Sequence, residues 1–197
     1  KITVFDVETT EEGYKGSPTP YYPDNKLISL GIDDEYLFFW HPDLPEIDLK
    51  KNKKIVQDIL DKTDILVGHN IKFDLSWLYS CGFKYNGIIY DTMIAEYVLY
   101  RGVKTKISLA ECCVRRGLIH KATSIIDTYR SQGMTFKDII PKDIEFYGRR
   151  DVECTRQLFN AQVSDLNKKP NSSLLKTVKM MNKFTKVLTD MEMNGIY

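Results

Sequence analysis

Five side chains in three short stretches of this 197-residue chain have the types and spacing that chemistry needs. In VFDVETT, residues 4–10, Asp6 and Glu8 stand in a β-branched, aromatic run that otherwise reads as a buried strand. Residues i and i+2 of a strand share a face, so the two carboxylates are pressed together while Phe5 and Val7 turn to the other side. A like-charged pair is costly unless a cation neutralises it, and oxygen ligands favour Mg2+ or Mn2+ over zinc. The alternative is a strand tip whose carboxylates are solvated. In NIKFD, residues 70–74, Asp74 falls in the opening turns of a helix, where the macrodipole favours a carboxylate with or without any chemistry. In YGRRD, residues 147–151, Tyr147 and Asp151 are four apart on a predicted helix, which stacks them about 5–6 Å apart at Cβ. They are placed to act on one bound object, or they form an ordinary half-buried pair. Arg149 and Arg150 lie on other faces and read as solvated charges.

The elements that must position these groups follow from periodicity. Residues 2–9, 27–33 and 36–40 have strand composition, with a hairpin turn at DDE, 33–35. Residues 11–26, rich in proline, glycine and tyrosine, read as a long loop whose tyrosines pack against the loop itself or, less favourably, stack on bases. Apolar residues at helical spacing follow in KKNKKIVQDILDK, then a short strand at 65–70, with Asn70 as N-cap of a helix that Gly82 ends. A strand at 87–92 leads into helices over MIAEYVLY and SLAECCVRRGL. A long helix starts at Pro141 and runs to NKKPNSS, and a last helix closes the chain. A hairpin followed by strands alternating with helices predicts an α/β fold, a mixed sheet of about five strands flanked by helices on both faces.

Composition bounds the rest. With 43% hydrophobic residues the chain can bury one sizeable core. Lys+Arg (28) and Asp+Glu (27) nearly cancel, so any nucleic acid must be held by a local site rather than by overall charge. The four cysteines form no CxxC pair and the three histidines are scattered, which indicates neither a zinc site nor a disulfide framework and favours a reduced, cytoplasmic setting. Cys112 and Cys113 read as helix-face residues without chemistry. Lys1 opens directly into a strand, so the chain is expected to be cut from a longer polypeptide.

Together, DVET, NIKFD and YGRRD resemble the three motifs of the DEDD 3′-5′ exonuclease superfamily, with Asp6, Glu8, Asp74 and Asp151 as the four acids. A tyrosine four residues before the last acid is similar to the tyrosine subclass. GHNIKFDLSWL, YDTMIAEYVL, SLAE and MEMNGI extend the resemblance to the proofreading domain of family A DNA polymerases, over nearly the whole chain. The resemblance implies a ribonuclease H-like fold and release of nucleoside 5′-monophosphates from single-stranded or frayed DNA 3′ ends. It implies an exonuclease domain at 1–170, and a C-terminal helix at 171–197 leading toward a polymerase domain of the same polypeptide, in a bacterial cytoplasm or a phage-infected cell. It also implies two divalent cations, Mg2+ or Mn2+. Asp6 would bridge them, Glu8 and Asp151 would hold the water-activating ion, Asp74 would support the second, and Tyr147 would orient the attacking water. Thr9, Asn70 and Phe73 match positions that contact the terminal nucleotide, although a strand end, an N-cap and a core residue are equally ordinary readings of them. One departure stands out: where the family often places an apolar wedge, this chain has Glu11 and Glu12. The same four acids and tyrosine would serve a ribonuclease D-like RNA-trimming enzyme, and an inactive binding module is the reading from another class.

Overall fold

The computed structural model describes residues 1–195; Ile196 and Tyr197, the end of the MEMNGI match, lie outside the described residues. Five strands, β1 (Ile2–Thr9), β2 (Leu27–Ile32), β3 (Glu35–Phe38), β4 (Ile65–Gly68) and β5 (Ile88–Asp91), form one sheet in the order β3-β2-β1-β4-β5. β1 pairs antiparallel with β2 and parallel with β4, so the expected mixed sheet is the one observed, with the hairpin reversing at Asp33 and Asp34. The helices among the described residues are α1 (Leu49–Leu60), α2 (Ile71–Ser80), α3 (Thr92–Leu99), α4 (Leu109–Arg115), α5 (Thr123–Ser131), α6 (Pro141–Leu166) and α7 (Leu174–Asn194). None is long and apolar enough to cross a membrane.

The alternation of β1 divides the core. Phe5 and Val7 enter one apolar cluster with Val56 and Leu60 of α1 and Leu75 and Leu78 of α2. Val4 points to the opposite face and packs with Val67, Tyr90, Val98 and Val152 beneath α3, α6 and α7. Asp6 and Glu8 therefore face α6, the helix that carries Tyr147 and Asp151.

Two glycines let α6 come close enough to matter. A Cβ on Gly31, the β2 partner of Asp6, would lie 2.9 Å from Val152 Cγ2, and one on Gly148 would lie 2.4 Å from the Tyr36 hydroxyl. Tyr36 cannot easily yield, because its hydroxyl is 2.8 Å from Ser29 Oγ and donates to Ile144 O at 3.1 Å. The glycine in YGRRD is thus a packing requirement of the site helix.

The long loop of residues 11–26 contains a single 3₁₀ turn, Tyr14–Gly16, and is ordered by one buried side chain. Asn25 Oδ1 accepts from Glu12 N at 2.7 Å and Thr10 Oγ1 at 3.3 Å, while Nδ2 donates to Ser17 O and Thr19 O, both at 2.8 Å. The expected packing of the tyrosines on their own loop is not what is found at Tyr14, which is 79% exposed. Helix α5 has no counterpart in the periodicity reading: it buries only Ile126 and begins at Ala122 without a side-chain cap.

Gly148→Ala gains helix propensity of about 1 kcal/mol, but forcing Tyr36 aside costs about 1–3 kcal/mol. The variant is expected to unfold at lower denaturant than the wild type; equal or higher stability in urea would show that α6 has slack over the sheet.

Candidate active site

Asp6, Glu8 and Asp151 converge. Each offers a carboxylate oxygen within 4.8 Å of the others, the geometry of a shared cation site. Glu8 Oε1 and Asp151 Oδ1 are buried and without a hydrogen-bond partner, so the cluster has acceptor capacity that the protein leaves unused. A group of hard, anionic oxygens with orphaned lone pairs suits a divalent cation such as Mg2+ or Mn2+ and does not suit a soft metal.

Asp74 sits beside this group rather than within it. It is buried in the first turn of α2, and its Oδ1 accepts from Val7 N at 3.1 Å, tying it to β1 between the two strand acids. The helix that carries it is positioned by an acid the motif reading passed over. Asp91, at the end of β5, accepts from Asn70 N at 3.0 Å and Ile71 N at 3.1 Å at the start of α2, and from Met93 N at 2.8 Å and Ile94 N at 3.4 Å at the start of α3. Asp91 thus caps two helices at once. An aspartate closing an apolar strand just before a helix is a readable N-cap signal, so this residue was within reach of sequence reasoning.

The expectation that Asn70 caps α2 with its side chain is corrected by that arrangement. Asn70 occupies the capping position in a left-handed conformation, φ 63° and ψ 44°, and makes no side-chain cap bond. The Asp91 carboxylate does that work, which leaves the exposed Asn70 amide free. Thr9 is buried at the strand end, where the β1–β2 register shifts, and Phe73 is half-buried against the first core cluster.

The residue that sequence reasoning missed altogether is Lys121. Its ammonium lies 2.5 Å from Asp151 Oδ2 and 5.1 Å from the centre of the Tyr147 ring, and its side chain is only 16% exposed. It follows His120 in an irregular segment 30 residues before Asp151, and no local pattern announces that it folds back onto the acids.

The charges perturb one another as burial and proximity require. Burial first, and then Asp151, push the Asp6 carboxyl up to about 7, against the pull of Lys121 and a hydrogen bond with Glu8. Glu8 is raised well above the usual range by burial and by Asp6 and Asp151. Asp74 is raised by burial and by Asp6, with the Val7 N–H opposing. Asp151 is raised by burial, which Lys121 partly offsets. Burial disfavours the charge on Lys121, but the Asp151 carboxylate beside it outweighs that and holds the ammonium protonated. Tyr147 is raised by burial and by the acids beside it, so its hydroxyl keeps its proton at neutral pH. Arg149 and Arg150 stay outside: the first bonds Glu145 and Asp34 O, both at 2.8 Å, and the second lies over Phe146.

A mixed sheet in this order, with acids from its central strand facing a long helix that carries a tyrosine and a fourth carboxylate, is a ribonuclease H-like fold with a candidate cation site on its central strand. The chain belongs to the 3′-5′ exonuclease domain family of family A DNA polymerases, whose model matches residues 19–167. DNA polymerase I of Borreliella burgdorferi is 29% identical over 177 residues, which is 87% of this chain but 19% of that protein, so the chain spans about a fifth of its curated relative. Among solved structures, Brucella melitensis NrnC with bound Mg2+ superposes with a TM-score of 0.69 at 16% identity, covering 98% of this chain and 86% of that one. RNase D of Trypanosoma brucei gives 0.65 at 15% identity, covering 94% and 64%. These two likenesses speak for the fold. The family implies use of a divalent metal.

Two outcomes test the geometry. Asp6 has a folded-state value above its unfolded value near 3.8, so the stability its neutral form contributes is complete below about pH 4 and lost as pH rises to about 7. In EDTA, melting is therefore expected to fall between pH 5 and 8, and Asp6→Asn to flatten that fall and melt several degrees above the wild type at pH 8. Identical pH profiles would show that the acids are not packed together. Asp91→Ala leaves four N–H donors without their carboxylate, costs about 2–4 kcal/mol, and is expected to lower Mn2+ affinity by displacing Asp74. A metal titration with unchanged affinity would refute that role.

Proposed function

We propose that this chain is a 3′-5′ exonuclease that hydrolyses the terminal phosphodiester of single-stranded or frayed DNA 3′ ends, releases nucleoside 5′-monophosphates, and proofreads for a polymerase on the same polypeptide. The observation that carries it is the convergence of Asp6, Glu8 and Asp151, two of them with orphaned carboxylate oxygens, with the Lys121 ammonium set between Asp151 and the Tyr147 ring. In this reading residues 1–170 are the nuclease domain and 171–197 lead toward the polymerase.

Asp6, Glu8 and Asp151 would hold the divalent cation, with the second Asp74 oxygen available to a neighbouring one. Bound there, such cations act as Lewis acids that lower the pKa of water and neutralise charge on the phosphate and on the leaving 3′ oxygen. The remaining work falls to the protein. Tyr147, kept protonated, hydrogen-bonds and orients the attacking water rather than deprotonating it. β1 fixes two acids on one rigid strand, so that they meet the phosphate without reorganising. Thr9 follows Glu8 and Phe73 precedes Asp74 in sequence, and together with Asn70 at the start of α2 they are proposed to hold the terminal nucleotide, Asn70 through its uncommitted amide.

Trimming of RNA 3′ ends is the second reading, favoured by the likeness to a solved RNase D at comparable TM-score. The polymerase reading draws on the match to the DNA polymerase I sequence. End-labelled DNA and RNA strands of one sequence, incubated with Mg2+ or Mn2+, separate them. Faster release from DNA is expected, together with loss of activity in EDTA, a fall of at least about 10³-fold in Asp6→Ala, and a fall of about 10²-fold in Tyr147→Phe. Faster release from RNA would transfer the assignment to the second reading. Cleavage by Asp6→Ala at the wild-type rate would remove both.

A further inference from the structure

Past the end of β1, Glu11 and Glu12 pair with cations of α5 and of the 3₁₀ turn that follows it. Glu11 Oε1 accepts from Arg130 Nη2 at 3.0 Å, and Glu12 Oε1 accepts from Lys137 Nζ at 2.6 Å. Arg130 lies in the last turn of α5, and Lys137 lies in the 3₁₀ turn Phe136–Asp138. Both cations flank Phe136, whose ring meets that of Tyr147 edge-on with centroids 5.9 Å apart, and the Arg130 guanidinium lies 5.9 Å from the same ring. On the acidic side the backbone is fixed, because Asn25 holds the Glu12 N–H. Two acid–base pairs therefore span the gap between the strand that carries Glu8 and the segment that buttresses Tyr147.

Fold stability does not account for them. The Arg130 and Lys137 side chains are 54% and 40% exposed, and pairs so exposed add little to stability. Their location suggests another role. At 3.8 Å between successive Cα atoms, Glu11 and Glu12 lie within about 15 Å of Glu8 along the chain. A strand whose terminal phosphodiester rests on the acids carries its next phosphates within reach of this rim.

We propose that Arg130 and Lys137 form a phosphate subsite for the nucleotides immediately 5′ of the terminal one, and that Glu11 and Glu12 occupy these cations as exchangeable substitutes for phosphate. The proposal rests on the nuclease reading above. A polynucleotide exchanges one set of ion pairs for another, displacing both glutamates together through adjacent phosphates, whereas a mononucleotide presents no second phosphate to do so. The carboxylates thereby favour chains over free nucleotides, and the positions where an apolar wedge is expected instead carry the counter-charges of a subsite.

Anisotropy of a fluorescein-labelled single-stranded oligonucleotide, with Ca2+ in place of Mg2+ and over a range of KCl concentrations, tests this. Arg130→Gln combined with Lys137→Gln is expected to weaken binding about tenfold and to flatten the salt slope by about 1.4, since each single-strand phosphate contact accounts for about 0.7. Glu11→Gln combined with Glu12→Gln is expected to tighten binding several-fold. Both double variants break the same ion pairs, so a purely structural role moves them in the same direction, whereas exchange moves them in opposite ones. An unaltered affinity and slope in the first, or weaker binding in the second, overturns the subsite. Hydrolysis of the p-nitrophenyl ester of thymidine 5′-monophosphate, which has no upstream phosphate, tests the nuclease reading separately. No p-nitrophenol release by the wild type with Mg2+ or Mn2+ ends that reading, whereas release together with an unaltered salt slope ends only the subsite.

Discussion

Mutual repulsion among buried carboxylates is the constraint on which the rest of this structure turns. Asp6, Glu8 and Asp151 are held within 4.8 Å of one another, with Asp74 alongside, and burial raises the carboxyl pKa of every one. No fold assembles such a group for its own stability, since an uncompensated buried charge costs several kcal/mol. The protein answers with rigid supports and one internal cation. A central strand fixes two acids, the Val7 N–H anchors the third, and Lys121 answers the fourth at 2.5 Å.

The supports reach well beyond the acids. Gly31 and Gly148 admit α6 to the sheet, and Tyr36 fills the space they leave. Asp91 fixes the starts of α2 and α3, and its own N–H donates to Asn182 Oδ1 at 3.3 Å, which ties α7 to the same corner. The acids come from β1, α2 and α6, so their convergence depends on these contacts between elements rather than on any one of them.

What the sequence revealed follows from which interactions are local. Strand alternation placed Asp6 and Glu8 on one face, and the four-residue spacing placed Tyr147 and Asp151 together, because both depend only on backbone periodicity. The mixed sheet, flanked on both faces, was legible for the same reason. Lys121 was not, since its partner lies 30 residues away and an irregular segment delivers it. Helix α5 escaped because it is only nine residues long and begins without a side-chain cap. Asn70 does stand at the N-cap as its sequence position indicated, but that its side chain makes no cap bond was not legible, because only the position of Asp91 reveals which carboxylate caps the helix. Glu11 and Glu12 registered as a departure from the family pattern, but their meaning depended on Arg130 and Lys137, more than a hundred residues away.

The central claim is that these remote acids form one cation-binding pocket. Anomalous diffraction from crystals grown with Mn2+ tests it most directly. The account predicts a manganese peak bounded by the carboxylates of Asp6, Glu8 and Asp151, with the Lys121 ammonium withdrawn from Asp151. Well-ordered side chains at these positions with no manganese among them, or manganese bound only elsewhere on the chain, would contradict it.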